Sequence, residues 1–360
     1  MGQKEELFTT IDKLRSQNPE REEWSKFTFY DERGKVINTL LSDINMQIVQ
    51  LHQDVLHNVF IDVDYYQIAG LLPMWLRDAG NSQESAMSKV FFEKLVKCGN
   101  SYLANKCLYY YDCEMLVNAL QNRFNIVDCM LSQVFDVLTP ILKYDLKGYD
   151  NVIFTINEES ERVNAYINSI IINLASSCDI MTKIAAELSE MGKVKYDTYP
   201  KMRSANIQYG YAKKLPEILK VDGTYFAEVR PVVITKVETI RDEIIHNGSL
   251  DFHALIYYGV KEGTSEKWIL MPSFNVEGTF TSYNGRKKFY DDPMNTWNKG
   301  LPLMVIDFLS VALLTLKTVR SVFAKEYYKN SYDLKKYQKE ILSLSKVFYE
   351  VTEREMQKEN

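Results

Sequence analysis

The apolar residues in the first part of the chain recur at steps of three and four positions. Between residues 35 and 60 they are Ile37, Leu40, Leu41, Ile44, Ile48, Leu51, Val55 and Val59. This spacing is typical of one face of an amphipathic helix. The same pattern predicts further helices at about residues 65–78, 84–97, 101–110 and 113–140.

The middle of the chain predicts the longest helix. A break at residues 144–157 contains Gly148, and Asn157 then has the position of an N-cap, with Glu158 and Glu159 where the helix dipole favours negative charge. The apolar pattern continues to Met191, after which Gly192 is a stop signal. Such a helix would be about 50 Å long.

The second half mixes helices with a small β element. Residues 193–227 are predicted to be irregular, and Pro231 to begin a helix that ends at His246, before Asn247 and Gly248. A hairpin is predicted from residues 254–260 and 267–271 with its turn near Gly263. Further expectations are a short strand near Thr279–Tyr283, a polar loop from Gly285 to Gly300, and closing helices at 301–328 and 331–356.

Composition supports a mainly α fold. The chain has 360 residues, with 46% hydrophobic content but only 15 glycines and 9 prolines, which favours long helices over a turn-rich β fold. The apolar stretch from Leu301 to Leu316 contains Asp307 and is shorter than the ~20 residues that a bilayer needs, so we interpret it as a buried core helix. The N-terminus lacks an apolar signal core, and a cytoplasmic protein with reduced thiols and no membrane contact is expected.

The net charge of −5 argues against a surface covered in basic side chains for binding nucleic acid. One segment, residues 193–220, is nevertheless locally basic, with seven cations against two acids. It either guides RNA, with tyrosines for base stacking, or is a solvated loop. The candidate RNA-binding cations are Lys193, Lys195, Lys201, Arg203, Lys213 and Lys214, and the candidate tyrosines are Tyr196, Tyr199, Tyr209 and Tyr211.

Other chemistries have little support in the sequence. Five cysteines without a CxxC pair and four scattered histidines do not show zinc-ligand spacing, so we expect neither a metal nor a cofactor. His52 and His57 fit structural roles, and a second basic run at 317–339 fits a solvated helix face. Walker, GxGxxG and GxSxG motifs do not occur, so nucleotide hydrolysis and serine hydrolase chemistry have no support in the sequence.

One constellation remains: Arg241, directly followed by Asp242, with His246 five positions after the arginine. A histidine side chain has an unperturbed pKa of about 6.5 and can transfer protons at neutral pH. Arginine stays charged and offers a planar fork to phosphate oxygens. RNA needs no metal for cleavage because its own 2′-OH can attack the adjacent phosphorus, so these residue types suit RNA cleavage.

The order Arg, polar residue, His at the end of a helix resembles the active-site motif of the HEPN superfamily of helical-bundle ribonucleases. The resemblance covers about residues 150–330, although a hairpin intervenes where a minimal HEPN bundle turns back directly. It implies a HEPN-like domain at 151–360, with catalytic Arg241, Asp242 and His246, and a homodimer whose two motifs face each other. The helical region 1–150 then becomes a candidate sensor or regulatory module.

Three functions stay open at this point. The resemblance implies a metal-independent endoribonuclease, serving as a toxin or abortive-infection effector in antiviral defence and controlled by an antitoxin or sensor partner. The alternatives are a non-catalytic HEPN domain that binds RNA or protein, and a helical scaffold in which the Arg–His spacing is accidental.

Overall fold

The computed structural model is described here over the following residues: 32–60, 74–81, 85–97, 101–139, 153–202, 207, 209–251, 254–261, 264–283, 288–292, 295–324, 339, 342 and 346. Parts of five predicted helices lie outside this range, namely 65–73, residue 84, residue 140, the end of 301–328 beyond residue 324, and most of 331–356. The described residues are mainly helical, as the sequence predicts.

Among the described residues, four helices precede the sheet. They are α1 (Glu32–Val59), α2 (Met74–Arg77), α3 (Lys89–Val96) and α4 (Ser101–Leu138). All eight apolar positions of the predicted stripe in α1 are buried, which confirms the pattern argument. The third helix begins at Lys89 rather than at residue 84, because Ser88 caps it by accepting a hydrogen bond from the Phe91 amide at 3.1 Å.

Helix α4 is continuous, so the two helices predicted at 101–110 and 113–140 are wrong. Residues 111 and 112 are Tyr and Asp, neither of which breaks a helix as Gly or Pro does. Tyr111 is buried, and its hydroxyl donates to the Ser85 carbonyl at 2.9 Å. Because the face of α4 that contains Tyr111 is buried, the helix continues across residues 111 and 112, where an interruption was predicted.

Helix α5 (Glu158–Met191) begins and ends where the sequence predicts. Asn157 accepts a hydrogen bond from the Ser160 amide, and the Ser160 hydroxyl accepts one from the Asn157 amide, both at 3.0 Å. This capping box satisfies two backbone donors at the helix start. Gly192 ends the helix with an ordinary right-handed φ of −66°, so the stop does not use glycine's conformational freedom.

Where the structure describes it, the irregular segment after α5 contains two short 3₁₀ helices, Tyr209–Lys214 and Glu217–Leu219. Helix α6 (Val232–Asn247) then follows Pro231. It ends at Gly248, whose φ of 87° is a left-handed conformation that favours glycine. The predicted helix containing Arg241, Asp242 and His246 is therefore confirmed.

The β element is an antiparallel sheet in the order β1 (Ile153–Thr155), β2 (Ile256–Lys261) and β3 (Thr264–Trp268). Strands β2 and β3 are the predicted hairpin, shifted by a few residues. The strand predicted at Thr279–Tyr283 is wrong, since the described residues there form only isolated bridges such as Phe274 with Phe280. The additional strand of the sheet is β1, which lies in the predicted break before α5. It forms because β2, about a hundred residues later in the chain, pairs with it.

Helix α7 (Trp297–Phe323) begins four residues before the predicted start and shortens the expected polar loop. By length and composition α5 and α7 are each apolar enough to cross a membrane, but 67% of the most apolar stretch of each is buried inside the protein. Such burial is typical of core helices, and Leu301, Val305, Phe308 and Leu309 are fully buried.

A single hydrophobic core connects helices from both halves of the chain. Helix α4 packs along α5, and α1 packs against α4 and α7, so residues on both sides of position 150 belong to one buried cluster. The division into regions 1–150 and 151–360, and the likeness to a HEPN bundle, stay predictions.

Candidate functional site

The motif occupies the last two turns of helix α6. The helix buries one face against α5 and α7, through Val233, Ile234, Val237, Ile240 and Ile244. The three motif residues lie outside this buried face. The Arg241 side chain is 30% exposed, the Asp242 side chain is 57% exposed, and His246 is exposed. The packing of α6 therefore leaves all three accessible to a substrate.

Arg241 and Asp242 form an ion pair. One guanidinium nitrogen of Arg241 lies 3.1 Å from a carboxylate oxygen of Asp242. Both groups are substantially exposed, so the pair contributes little to stability and can exchange for another partner. Asp242 also precedes His246 by four residues, which places the two on neighbouring positions of one helix face.

The helix continues through Asn247, so both Arg241 and His246 are helical. At about 100° per residue, a separation of five positions turns the two side chains roughly 140° apart. On an ideal helix the side chains of Arg241 and His246 therefore point to different sides of α6.

The end of α6 is fixed by polar contacts immediately after His246. The Asn247 side chain donates to the Glu243 carboxylate at 2.5 Å. From α5, Asn164 donates to the Asp251 carbonyl at 2.7 Å and to the Ser249 hydroxyl at 3.2 Å. These contacts hold the backbone that follows the motif against α5, the helix along which α6 packs.

A second group of contacts joins α6 to the segment after the sheet. The Lys288 ammonium lies 3.6 Å from the Glu243 carboxylate and 3.5 Å from Asp251, and it donates to the Leu250 carbonyl. The Tyr290 hydroxyl donates to both Asp251 carboxylate oxygens, at 2.8 and 2.7 Å. Burial, followed by the negative charge of Asp251, raises the pKa of Tyr290, so its hydroxyl stays a donor.

None of these residues belongs to the motif, and their contacts are with the end of α6 and the backbone that follows it. Sequence reasoning missed Asn164, Glu243, Lys288 and Tyr290. Their partners lie four to 87 positions away along the chain. Only the i to i+4 spacing of Glu243 and Asn247 was a visible signal.

The segment with the predicted RNA-binding lysines begins at the end of α5 that lies away from the motif. Lys193, Lys195, Lys201, Lys213 and Lys214 are all exposed. Lys193 follows the end of α5 and pairs with Glu190 at 3.1 Å. Asn168, on the same helix, donates to Ser249 beside the motif. Between Asn168 and Met191 the axis of α5 advances by about 35 Å, so the basic segment begins far from His246. Arg203 lies outside the described residues.

The prediction that tyrosines of this segment stack on RNA bases is wrong for Tyr196. That ring is only 6% exposed and packs against Tyr102 and Tyr109. Tyr199 is partly buried and donates its hydroxyl to Asp112. The side chains of Tyr209 and Tyr211 lie outside the described part. Apolar neighbours from α4 explain the difference, because a tyrosine in an irregular segment can still belong to the core.

The remaining candidates have structural roles. His52 lies 2.6 Å from the buried carboxylate of Glu114, and Arg320, in the second basic run, lies 2.6 Å from Asp54. Across the described residues, His, Cys, Asp and Glu do not form a group of three that could hold a metal ion.

A scan against protein-family models, a search of curated proteins and a search of solved structures each found no match to this chain.

Proposed function

We propose that the protein is a metal-independent endoribonuclease of the HEPN type that acts as a homodimer. The observation that carries the proposal is the placement of Arg241, Asp242 and His246 on the side of α6 that the core leaves uncovered. A proton-transfer group and a permanent cation are accessible on one rigid helix, and polar contacts fix the end of that helix.

Each motif residue has a role in the proposed reaction. His246 takes the proton from the 2′-OH, whose oxygen attacks the adjacent phosphorus while the bond to the 5′-oxygen breaks. The leaving 5′-oxygen takes its proton from water, and the protonated His246 neutralises the hydroxide that remains. Arg241 offsets the charge that builds on the phosphate oxygens, and Asp242 orients Arg241 through their ion pair. The products are a 2′,3′-cyclic phosphate and a free 5′-hydroxyl.

The angle between the side chains of Arg241 and His246 supports the proposed dimer. Because Arg241 and His246 diverge by roughly 140°, two copies of α6 facing each other would supply a histidine and an arginine to the same phosphate. The exposed Ile245, 55% accessible, lies between the two motif residues and would be covered in such a pairing.

The biological role we propose is that of a cytoplasmic toxin or abortive-infection effector in antiviral defence. Residues 1–150 would then sense the trigger or bind an antitoxin. This assignment is supported only by the resemblance of the motif to the HEPN superfamily, since a fold and a motif do not by themselves identify a biological setting.

Incubation of the purified full chain with total RNA in the presence of EDTA tests the activity. We expect cleavage that survives chelation and disappears in His246→Ala and Arg241→Ala. Val276→Ala, which changes a side chain that is 91% exposed outside the motif, is the control and should cleave normally. Intact RNA with wild-type protein, or unchanged cleavage with His246→Ala, would contradict the proposal.

One observation favours a second candidate, a HEPN-like domain that binds RNA or protein without cutting. Arg241 is already paired with Asp242 of its own chain, so the cation can serve recognition alone. Under this alternative, wild-type protein and His246→Ala would retain the same RNA, equally intact, on a filter.

A further inference from the structure

The outer face of the small sheet carries one aromatic ring from each strand. The register pairs Phe154 of β1 with Tyr257 of β2, and Tyr257 with Trp268 of β3. The centroids of neighbouring rings lie 6.3 Å and 5.9 Å apart. We call these three residues the aromatic ladder. Side chains alternate between the faces of a strand, so directly paired residues share a face.

The reverse face of the sheet is committed to the core. Ile256 and Tyr258, the neighbours of Tyr257 along β2, are buried. Lys267, next to Trp268, is also buried and donates to the Val137 carbonyl at the end of α4 and to Glu159 of α5. These contacts anchor the sheet, so the ladder has a rigid base.

The ladder faces solvent. Phe154 is 63% exposed, Tyr257 and Trp268 are half-buried, and Ile156, two positions beyond Phe154, is 55% exposed. Three aromatic rings in a row at the surface are unusual for a face with a purely structural role, because large apolar groups normally gain from burial.

The ladder lies at the same end of the molecule as the motif. Strand β1 ends three residues before α5 begins at Glu158, and Asn164, about 9 Å further along that helix, holds Ser249 and Asp251. These two residues directly follow the helix end that carries His246. The basic segment after α5 begins at the opposite end of that helix.

The size of the face discriminates between possible occupants. Strands of up to six residues and two strand spacings give a face of roughly 20 Å by 10 Å, about 200 Å². A stable protein interface needs about 800 Å² on each partner. Sheets that bind single-stranded RNA, by contrast, stack two or three bases on their aromatic rings.

We infer that the aromatic ladder is a stacking platform for unpaired bases of single-stranded RNA, an inference that rests on the proposed ribonuclease function. The rings accept bases of any identity because every base has a π face. Paired bases in a duplex cannot reach the rings. The platform would hold an unpaired stretch of the substrate next to the motif and so select single-stranded RNA for cleavage.

Because stacking rather than phosphate contact would supply the binding, we expect a shallow dependence of affinity on salt. Each phosphate neutralised by a cation steepens that dependence. A steep dependence that persists when the ladder is altered would assign binding to lysines and overturn the inference.

The test uses the full chain carrying His246→Ala, so that the RNA remains uncut, and a short fluorescein-labelled uridine-rich RNA. Fluorescence anisotropy would compare Phe154→Leu and Tyr257→Leu with the parent, each with its unfolding midpoint measured. We expect each loss of a ring to weaken binding by at least about fivefold. Phe154→Tyr, which keeps a ring, and Val276→Ala, which changes a different exposed apolar side chain, should bind as the parent does. A duplex of the same sequence should not bind.

The outcomes separate the inference from the proposed function. Ladder-dependent binding without cleavage by the wild-type chain would sustain the platform and remove the ribonuclease. Cleavage that depends on His246, with RNA affinity unaffected in the ladder variants, would sustain the ribonuclease and overturn the platform. If the ladder variants instead change the oligomeric state in light scattering and leave RNA binding intact, the face is a protein interface and the inference is wrong.

Discussion

The Lys288 ammonium lies 3.6 Å from the carboxylate of Glu243, a residue that precedes His246 by three positions. This ion pair joins the motif helix to the segment that follows the sheet. Both side chains are largely buried, with 22% and 10% of their surface exposed. The pair is therefore less screened than a surface ion pair, and its loss leaves carboxylates without their cation.

We expect Lys288→Met to lower the free energy of unfolding by roughly 1–2 kcal/mol, measured by urea denaturation. Lys193→Met removes an exposed pair with Glu190 and should change it by less than about 0.5 kcal/mol. Equal effects of the two substitutions would show that Lys288 does not fix the helix end.

The two glycines that end α5 and α6 differ in conformation and make a matched pair. Gly248 has a φ of 87°, which strains any residue with a Cβ, so Gly248→Ala should cost about 1 kcal/mol of unfolding free energy. Gly192 has a φ of −66° and nothing within 4 Å of an added Cβ. Gly192→Ala should be neutral or stabilise by up to about 1 kcal/mol. Thermal unfolding of both variants checks the contrast, which would be absent if Gly248 relaxed without strain.

A buried carboxylate predicts how stability depends on pH. Burial raises the pKa of Asp112, and the nearby Glu187 raises it further, against the hydrogen bond that Tyr199 donates. A raised carboxyl pKa means that ionisation costs stability. The cost is absent below the ordinary pKa of about 4, grows as the pH rises towards the folded-state pKa, and is complete above it.

Asp112→Asn keeps an oxygen that accepts from Tyr199 and removes the charge. We expect the variant to be more stable than wild type at pH 7, with a difference that shrinks as the pH falls towards 4.5. Urea unfolding at several pH values measures this difference. A gap that stays constant, or a variant less stable at neutral pH, would show that the Asp112 charge is well compensated.

A composite active site predicts complementation between inactive chains. Arg241→Ala and His246→Ala should each be inactive alone. When they are mixed and allowed to exchange subunits, half of the dimers are mixed, and each mixed dimer holds one site with an intact arginine and histidine from different chains. Activity should return to about a quarter of the wild-type value. Activity that stays at zero despite demonstrated exchange would show that both copies of each residue are needed or that the site lies within one chain.

Local signals in the sequence predicted much of the helical framework. The stripe of α1, the capping box at Asn157 and the left-handed Gly248 depend on neighbours within about four positions, and all three are present. The motif itself is equally local, so its place on a helix could be predicted.

Contacts between distant segments produced the errors. Helix α4 continues through Tyr111 because Ser85 and the core receive that side chain, and β1 forms because β2 pairs with it. Tyr196 is buried by residues of α4 that precede it by about ninety positions. Periodicity has no information on such partners, since it reports only which face of an element is apolar.

By itself, the sequence determined a mainly helical chain with Arg241 and His246 five positions apart on one helix, because helix formation and termination are decided within a turn or two. Only the tertiary structure decided that α5 and α7 cover the apolar side of that helix, and that the basic segment begins about 35 Å away along α5. It also decided that Lys288 and Tyr290 close the helix end and that three aromatic rings from separated strands form one surface. These features depend on burial of apolar area and on pairing between segments far apart in the chain, which local sequence does not specify.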